Sequence, residues 1–123
     1  MAKPIDYEFE GKKLKLCLSV AVVMEIKDRF GSLEEMGQRI EEEDKASTLD
    51  DITWLFAAMC FAGKAYAELT GDDSVDTWTQ EQLRTLVDLN ELPELMDVVS
   101  RAMASGKEQT VEVEAEKNTS ATT

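Results

Sequence analysis

The chain has 123 residues, the size of one ordinary domain and enough to bury roughly two-thirds of the surface its unfolded form exposes. Apolar residues make up 43% and charged residues 32%, a balance that excludes disorder along the whole chain. With 26 acidic against 13 basic side chains the formal charge is -13, which repels nucleic-acid backbones and anionic membranes, and both are excluded as expected partners.

Residues 5–18, "IDYEFEGKKLKLCL", alternate apolar and polar with period two. Ile5, Tyr7 and Phe9 share a face before the turn, and Leu14, Leu16 and Leu18 share one after it. This predicts a β-hairpin turning at Gly11, with Lys12, Lys13 and Lys15 at its tip and outer face. A lone hairpin is marginal, so it must lie on helices or on another subunit. From Ser19 the period becomes helical: Val20, Val23, Ile26 and Phe30 form a stripe that stops at Gly31. Ser32 then has the spacing of a helix cap with Glu35 as its capping-box partner, ahead of Leu33, Met36 and Ile40 and the acidic run "EEED" at 41–44.

"KAST" reads as a linker to Thr48, which is expected to cap a long helix with Asp50 and Asp51 in its first turn, running to about Leu69. Between Trp54 and Gly63 this helix is apolar on every side, which marks it as central. Phe56 is expected in the core. Trp54 and Phe61 are candidates for a self-association or partner surface, because a domain this small struggles to bury both flanks of one helix. After "TGDDSVD", Thr79 and Gln82 have capping-box spacing for a fourth helix with Leu83, Leu86, Val87 and Leu89 as its apolar face. Pro93 opens a fifth, facing inward through Leu95, Met96, Val99 and Met103 and stopping at Gly106. Beyond Lys107 the pattern collapses. "TVEVEAE" alternates as a late strand would, but no core can be drawn from the remainder, which reads as a tail.

The expected fold is therefore α+β and mainly α. An N-terminal hairpin packs on a bundle of about five helices in a single domain, 1–106, followed by a flexible, disordered polar tail, 107–123. Cys17 and Cys60 sit in apolar settings without a CxxC or Cys/His cluster and read as buried hydrophobes. No signal-peptide h-region and no membrane-length apolar run is visible, so an intracellular, soluble chain is expected.

Chemistry is sparse. Histidine is absent, which removes the commonest general base, the usual partner of a Ser or Cys nucleophile and the commonest transition-metal ligand. "EEED" and "GDD" at 71–73 lack the ligand spacing of a calcium loop, and the glycines form no phosphate-binding fingerprint. Neither a catalytic residue, a metal ligand nor a cofactor is expected.

The order "YEFEGKKLKLCLSVAVVMEIKDRFG", then "SLEEMGQRI", a long apolar helix and "WTQEQLRTLVD", resembles the tail assembly chaperones of long-tailed bacteriophages and related prophages. The likeness covers most of residues 5–104. It implies a non-enzymatic protein of the host cell cytoplasm. Many copies would coat the tape measure protein, keep its apolar helices soluble and help recruit tail tube protein, and the chaperone would be absent from the mature virion. It also implies self-association, for which the lysine-bearing tip meeting an acidic surface of a neighbouring copy is one route. Genes of that family commonly carry a programmed ribosomal frameshift near their end, and Glu116, Lys117 and Asn118 can be encoded GAA AAA AAC, which contains a slippery heptamer in the correct phase. Slippage there would preserve the whole folded domain. The competing class is an acidic inhibitor that mimics DNA or another inhibitory adaptor of phage origin, but a mimic needs carboxylates spaced like phosphates along one face, and here they are scattered among lysines.

Overall fold

A computed structural model describes residues 1–106. The expectations placed on 107–123, including the flexible tail, the late strand and the codon reading at Lys117 and Asn118, lie outside the described residues.

Strands β1, Ile5–Phe9, and β2, Lys12–Leu16, pair antiparallel with Ile5 opposite Leu16, Tyr7 opposite Leu14 and Phe9 opposite Lys12. The period-two pattern thus places Ile5, Tyr7, Phe9, Leu14 and Leu16 on one face, as the sequence predicts. The two-residue turn has positive φ at both positions, 50° at Glu10 and 78° at Gly11, the type I′ geometry that matches the twist of the strands. Gly11 takes this conformation freely, whereas Glu10 is strained by its Cβ.

Helices α1, Val20–Phe30, and α2, Leu33–Glu42, follow at once, capped by Ser19 and Ser32, whose hydroxyls accept from Val22 N and Glu35 N. The central helix α3, Lys45–Leu69, is 25 residues long. Helix α4, Gln80–Leu86, carries the full reciprocal capping box between Thr79 and Gln82. A short 3-10 turn, Leu89–Glu91, leads into α5, residues 92–106, with Pro93 in its first turn.

The hairpin's apolar face lies on α3, and the core closes around Phe56, with Leu14, Leu16, Leu55, Met59, Leu83, Leu95 and Val98 all buried. Tyr7 and Phe9 each meet the Phe56 ring edge-on with centroids 6.1 Å apart. The closest approach is at Gly63, where a Cβ would stand 1.8 Å from the Lys15 carbonyl oxygen. Only glycine lets β2 cross α3 this closely, and Cys17 N donates to Met59 O at 3.2 Å beside it. The segment after α3 runs along the outer edge of β2: Asp76 N donates to Lys13 O and Lys64 Nζ to Val75 O. On β1, Trp78 Nε1 donates to Phe9 O, and Tyr7 bonds Glu94 of α5.

Three expectations need correction. Helix α3 begins three residues before Thr48. Asp44, the last residue of "EEED", is its cap, with the carboxylate accepting from Ser47 N at 2.7 Å, and Thr48 is buried and donates to Ile40 O. Asp51 is consequently not a first-turn residue. It lies on the buried stripe with Thr48, Leu55 and Met59. Helix α1 packs through Ile26 and the half-buried Phe30 as expected, but it turns Val22 inward and leaves Val20 and Val23 exposed, Val20 at 79%. Helix α4 ends at Leu86, so Leu83 is its one buried anchor, and Leu86 and Leu89 reach solvent.

Candidate functional site

With one flank of α3 under the hairpin, its other flank determines what the molecule can bind. Phe61 lies about 200° around the helix from Gly63, so burying Gly63 against β2 turns Phe61 outward. It is 71% exposed. Trp54, Ala58, Phe61, Ala65 and Leu69 follow one another in steps of three and four residues, which draws one apolar stripe along this flank. Leu69 at its end is 89% exposed. Helix α1 adds the exposed side chains of Val20, Val23 and Met24.

At the N-terminal end of the stripe an open groove of about 540 Å³ runs between α1 and α3. Its floor is Trp54, Ala57 and Ala58, its α1 wall is Glu25, Asp28 and Arg29, and Gln80 closes one side. Small alanines on the floor leave width for an incoming side chain, and two carboxylates on the rim favour a cationic partner. Trp54 is half-buried, not fully open: its ring meets Phe30 edge-on at 5.7 Å, and the Arg29 guanidinium lies 4.8 Å from its centroid. Arg39 covers the same Phe30 ring at 5.1 Å.

The structure therefore puts Trp54 and Phe61 on one flank of α3, Trp54 as a groove floor and Phe61 as a free knob. The three lysines are not gathered into a basic tip. Lys12 Nζ sits 3.9 Å above the Trp78 ring and donates to Thr77 O, and Lys15 Nζ pairs with Asp6 at 2.7 Å. Lys13 is the exposed one of the three.

The sequence reading missed a charged cluster beneath the groove. Asp51 is 2% exposed, and its Oδ1 accepts from Arg29 Nη2 at 3.0 Å. Arg39 Nε lies 3.2 Å from Asp51 Oδ2 and 3.4 Å from Glu43 Oε2. Asp50 is bound by Arg84 Nε at 2.8 Å, and Gln80 Nε2 donates to its backbone oxygen. Burial, followed by hydrogen-bonding contact with Asp51 and its charge, raises Glu43 above its ordinary value, with Arg39 opposing. One signal was available: a carboxylate in line with Leu55 and Met59 has to be buried and therefore has to find a cation.

Chemically reactive groups are shielded. Burial pushes the Cys60 thiol up to about 12 and also raises Cys17. Tyr7 is likewise raised to about 12, by burial first and then by its bond to Glu94. Among the described residues no cluster of three metal-ligating side chains occurs, and no helix is long and apolar enough to cross a membrane. Comparison with protein families, curated proteins and solved structures finds no match to this chain.

Proposed function

We propose that this chain is a tail assembly chaperone of the kind its sequence resembles, an interaction protein without an active site that works in the host cytoplasm. The observation that carries this reading is the uncovered flank of α3, from Trp54 in the groove to Phe61 and Leu69, on a molecule whose core is otherwise closed. A tape measure protein is a long succession of apolar helices, and a helix lays its apolar face into a groove of this shape through anchors spaced three and four residues apart. Glu25 and Asp28 on the rim select client segments that carry lysine or arginine beside those anchors. The charge of -13 keeps a coated client in solution by mutual repulsion of its coats. Copies seated along one client touch through the Phe61 end of the stripe, and the assembled coat recruits tail tube protein before leaving the finished particle.

The reading as a DNA mimic draws less support. Asp6, Asp50, Asp51 and Asp97 are each committed to a lysine or arginine of the same chain, which lowers the density of free negative charge a mimic needs.

Co-expression with the tape measure protein from the same phage or prophage tests the proposal. The client should stay in the supernatant with the wild-type chain and sediment with Phe61→Asp or Ala58→Asp. Phe61→Asp should change folding stability by no more than about 0.5 kcal/mol, since its side chain is exposed. A client that is equally soluble with no chaperone, or with both variants, would remove the proposal.

A further inference from the structure

Among the described residues, two buried side-chain oxygens receive no hydrogen bond, and both belong to one place: Glu43 Oε1 just past α2 and Asp51 Oδ2 near the start of α3. The two carboxyl groups share the Arg39 guanidinium, whose Nε lies 3.4 Å from Glu43 Oε2 and 3.2 Å from Asp51 Oδ2. Two acceptor oxygens shut away from water repel each other unless a proton lies between them.

The surrounding charges do not remove that need. From α1, Arg29 serves Asp51 Oδ1 at 3.0 Å and stands 3.8 Å from Asp50 Oδ2. From α4, Arg84 is taken by Asp50 on α3. From α2, Arg39 alone spans Glu43 and Asp51, and its Nε beside Asp51 Oδ2 is close enough for attraction but not aligned for a hydrogen bond. One guanidinium shared between Glu43 Oε2 and Asp51 Oδ2 leaves Glu43 Oε1 without a donor and Asp51 Oδ2 without an aligned one.

We propose that Glu43 and Asp51 share a single proton between Glu43 Oε1 and Asp51 Oδ2. This proton pins α2 against α1 and α3, so that α2 loosens as the solution becomes more alkaline. Helix α2 depends on such a pin because its apolar anchoring is slight: Met36 is its one buried residue, and Leu33 and Ile40 are half-buried. The direction follows from linkage. The folded chain holds Glu43 protonated more tightly than the unfolded chain does, so its contribution is full below the ordinary glutamate range and is lost as pH rises through the raised folded value. Arg29 carries the change outward, because the guanidinium that grips Asp51 also stacks on Trp54 in the groove.

The test uses the full chain and does not depend on what the groove binds. Glu43→Gln places an amide N–H against Asp51 Oδ2 at every pH. As pH rises above the ordinary glutamate range, the urea midpoint of the wild type should fall relative to that of Glu43→Gln. In the wild type, the Glu43 carboxyl carbon should titrate above the ordinary glutamate value of about 4.3. Hydrogen-exchange protection of Leu33–Glu42 should decline with the same midpoint while that of the hairpin holds. A gap between wild type and Glu43→Gln that does not change with pH would overturn the proposal. So would a Glu43 carbon titrating in the ordinary range, and this measurement decides the matter even if the variant fails to fold.

Discussion

The two halves of α3 are held by opposite means. Its C-terminal half meets β2 through close backbone contact at Gly63 and apolar surface, whereas its N-terminal half is tied to α1, α2 and α4 by arginines on Asp50 and Asp51. Steric fit is all-or-none and indifferent to solvent ions. A charge cluster is graded, since protons and salt compete for its members. The molecule thus has one end that fixes the fold and another whose tightness the solution can adjust, and the groove lies against the adjustable end.

Gly63→Ala should break this contrast most severely. The added methyl would meet the Lys15 carbonyl group, which is backbone and cannot turn aside, and the loss should be about 3 kcal/mol in urea unfolding. Asp51→Ala at the other end should cost about 2 kcal/mol, less than a fully buried pair because Arg29 and Arg39 keep partial access to water. Added salt should narrow the gap between Asp51→Ala and wild type, and leave that for Gly63→Ala unchanged. Thr79→Ala removes the cap from α4, whose Arg84 serves Asp50, and should cost about 1 kcal/mol.

The smallest effect should be none at all. In the native protein at about pH 8, a thiol reagent should label neither cysteine, because burial holds Cys17 and Cys60 as thiols, and labelling should begin only with unfolding. The same shifts separate the two ends on the pH axis. Cys60 and Tyr7 have folded values raised to about 12, so their contribution is intact below their unfolded values of about 8.5 and about 10. It is lost only as pH rises towards 12, far above the window of the Glu43 clasp.

What was legible in the sequence is local. The hairpin follows from period two around Gly11, and Ser19, Ser32 and Thr79 mark helix starts because a cap needs only its own next three residues. Phe61 was legible because no helix apolar on all sides can be covered on every flank in a chain this short. The start of α3 was misplaced because Asp44 hides as a cap inside an acidic run that also looks like a solvated helix end. Periodicity shows that α1 has an apolar face without telling whether Val22, or Val20 and Val23, turns inward beside Ile26. The clasp was illegible for a different reason: Arg29, Glu43 and Asp51 come from separate segments, and nothing in any one segment names its partners.

The crossing at Gly63 has a further consequence during synthesis. The hairpin leaves the ribosome before its supports do: the residue it rests on follows Lys15 by 48 positions, and the Trp78 indole that bonds Phe9 follows Phe9 by 69. At roughly 5–20 residues per second, the newborn strands wait several seconds with their apolar face unsheltered. A two-stranded ribbon cannot hold its shape alone for that interval. A segment made before α3 is therefore among the last to settle, and the nascent chain passes through a stage in which it needs the kind of protection proposed here for its client.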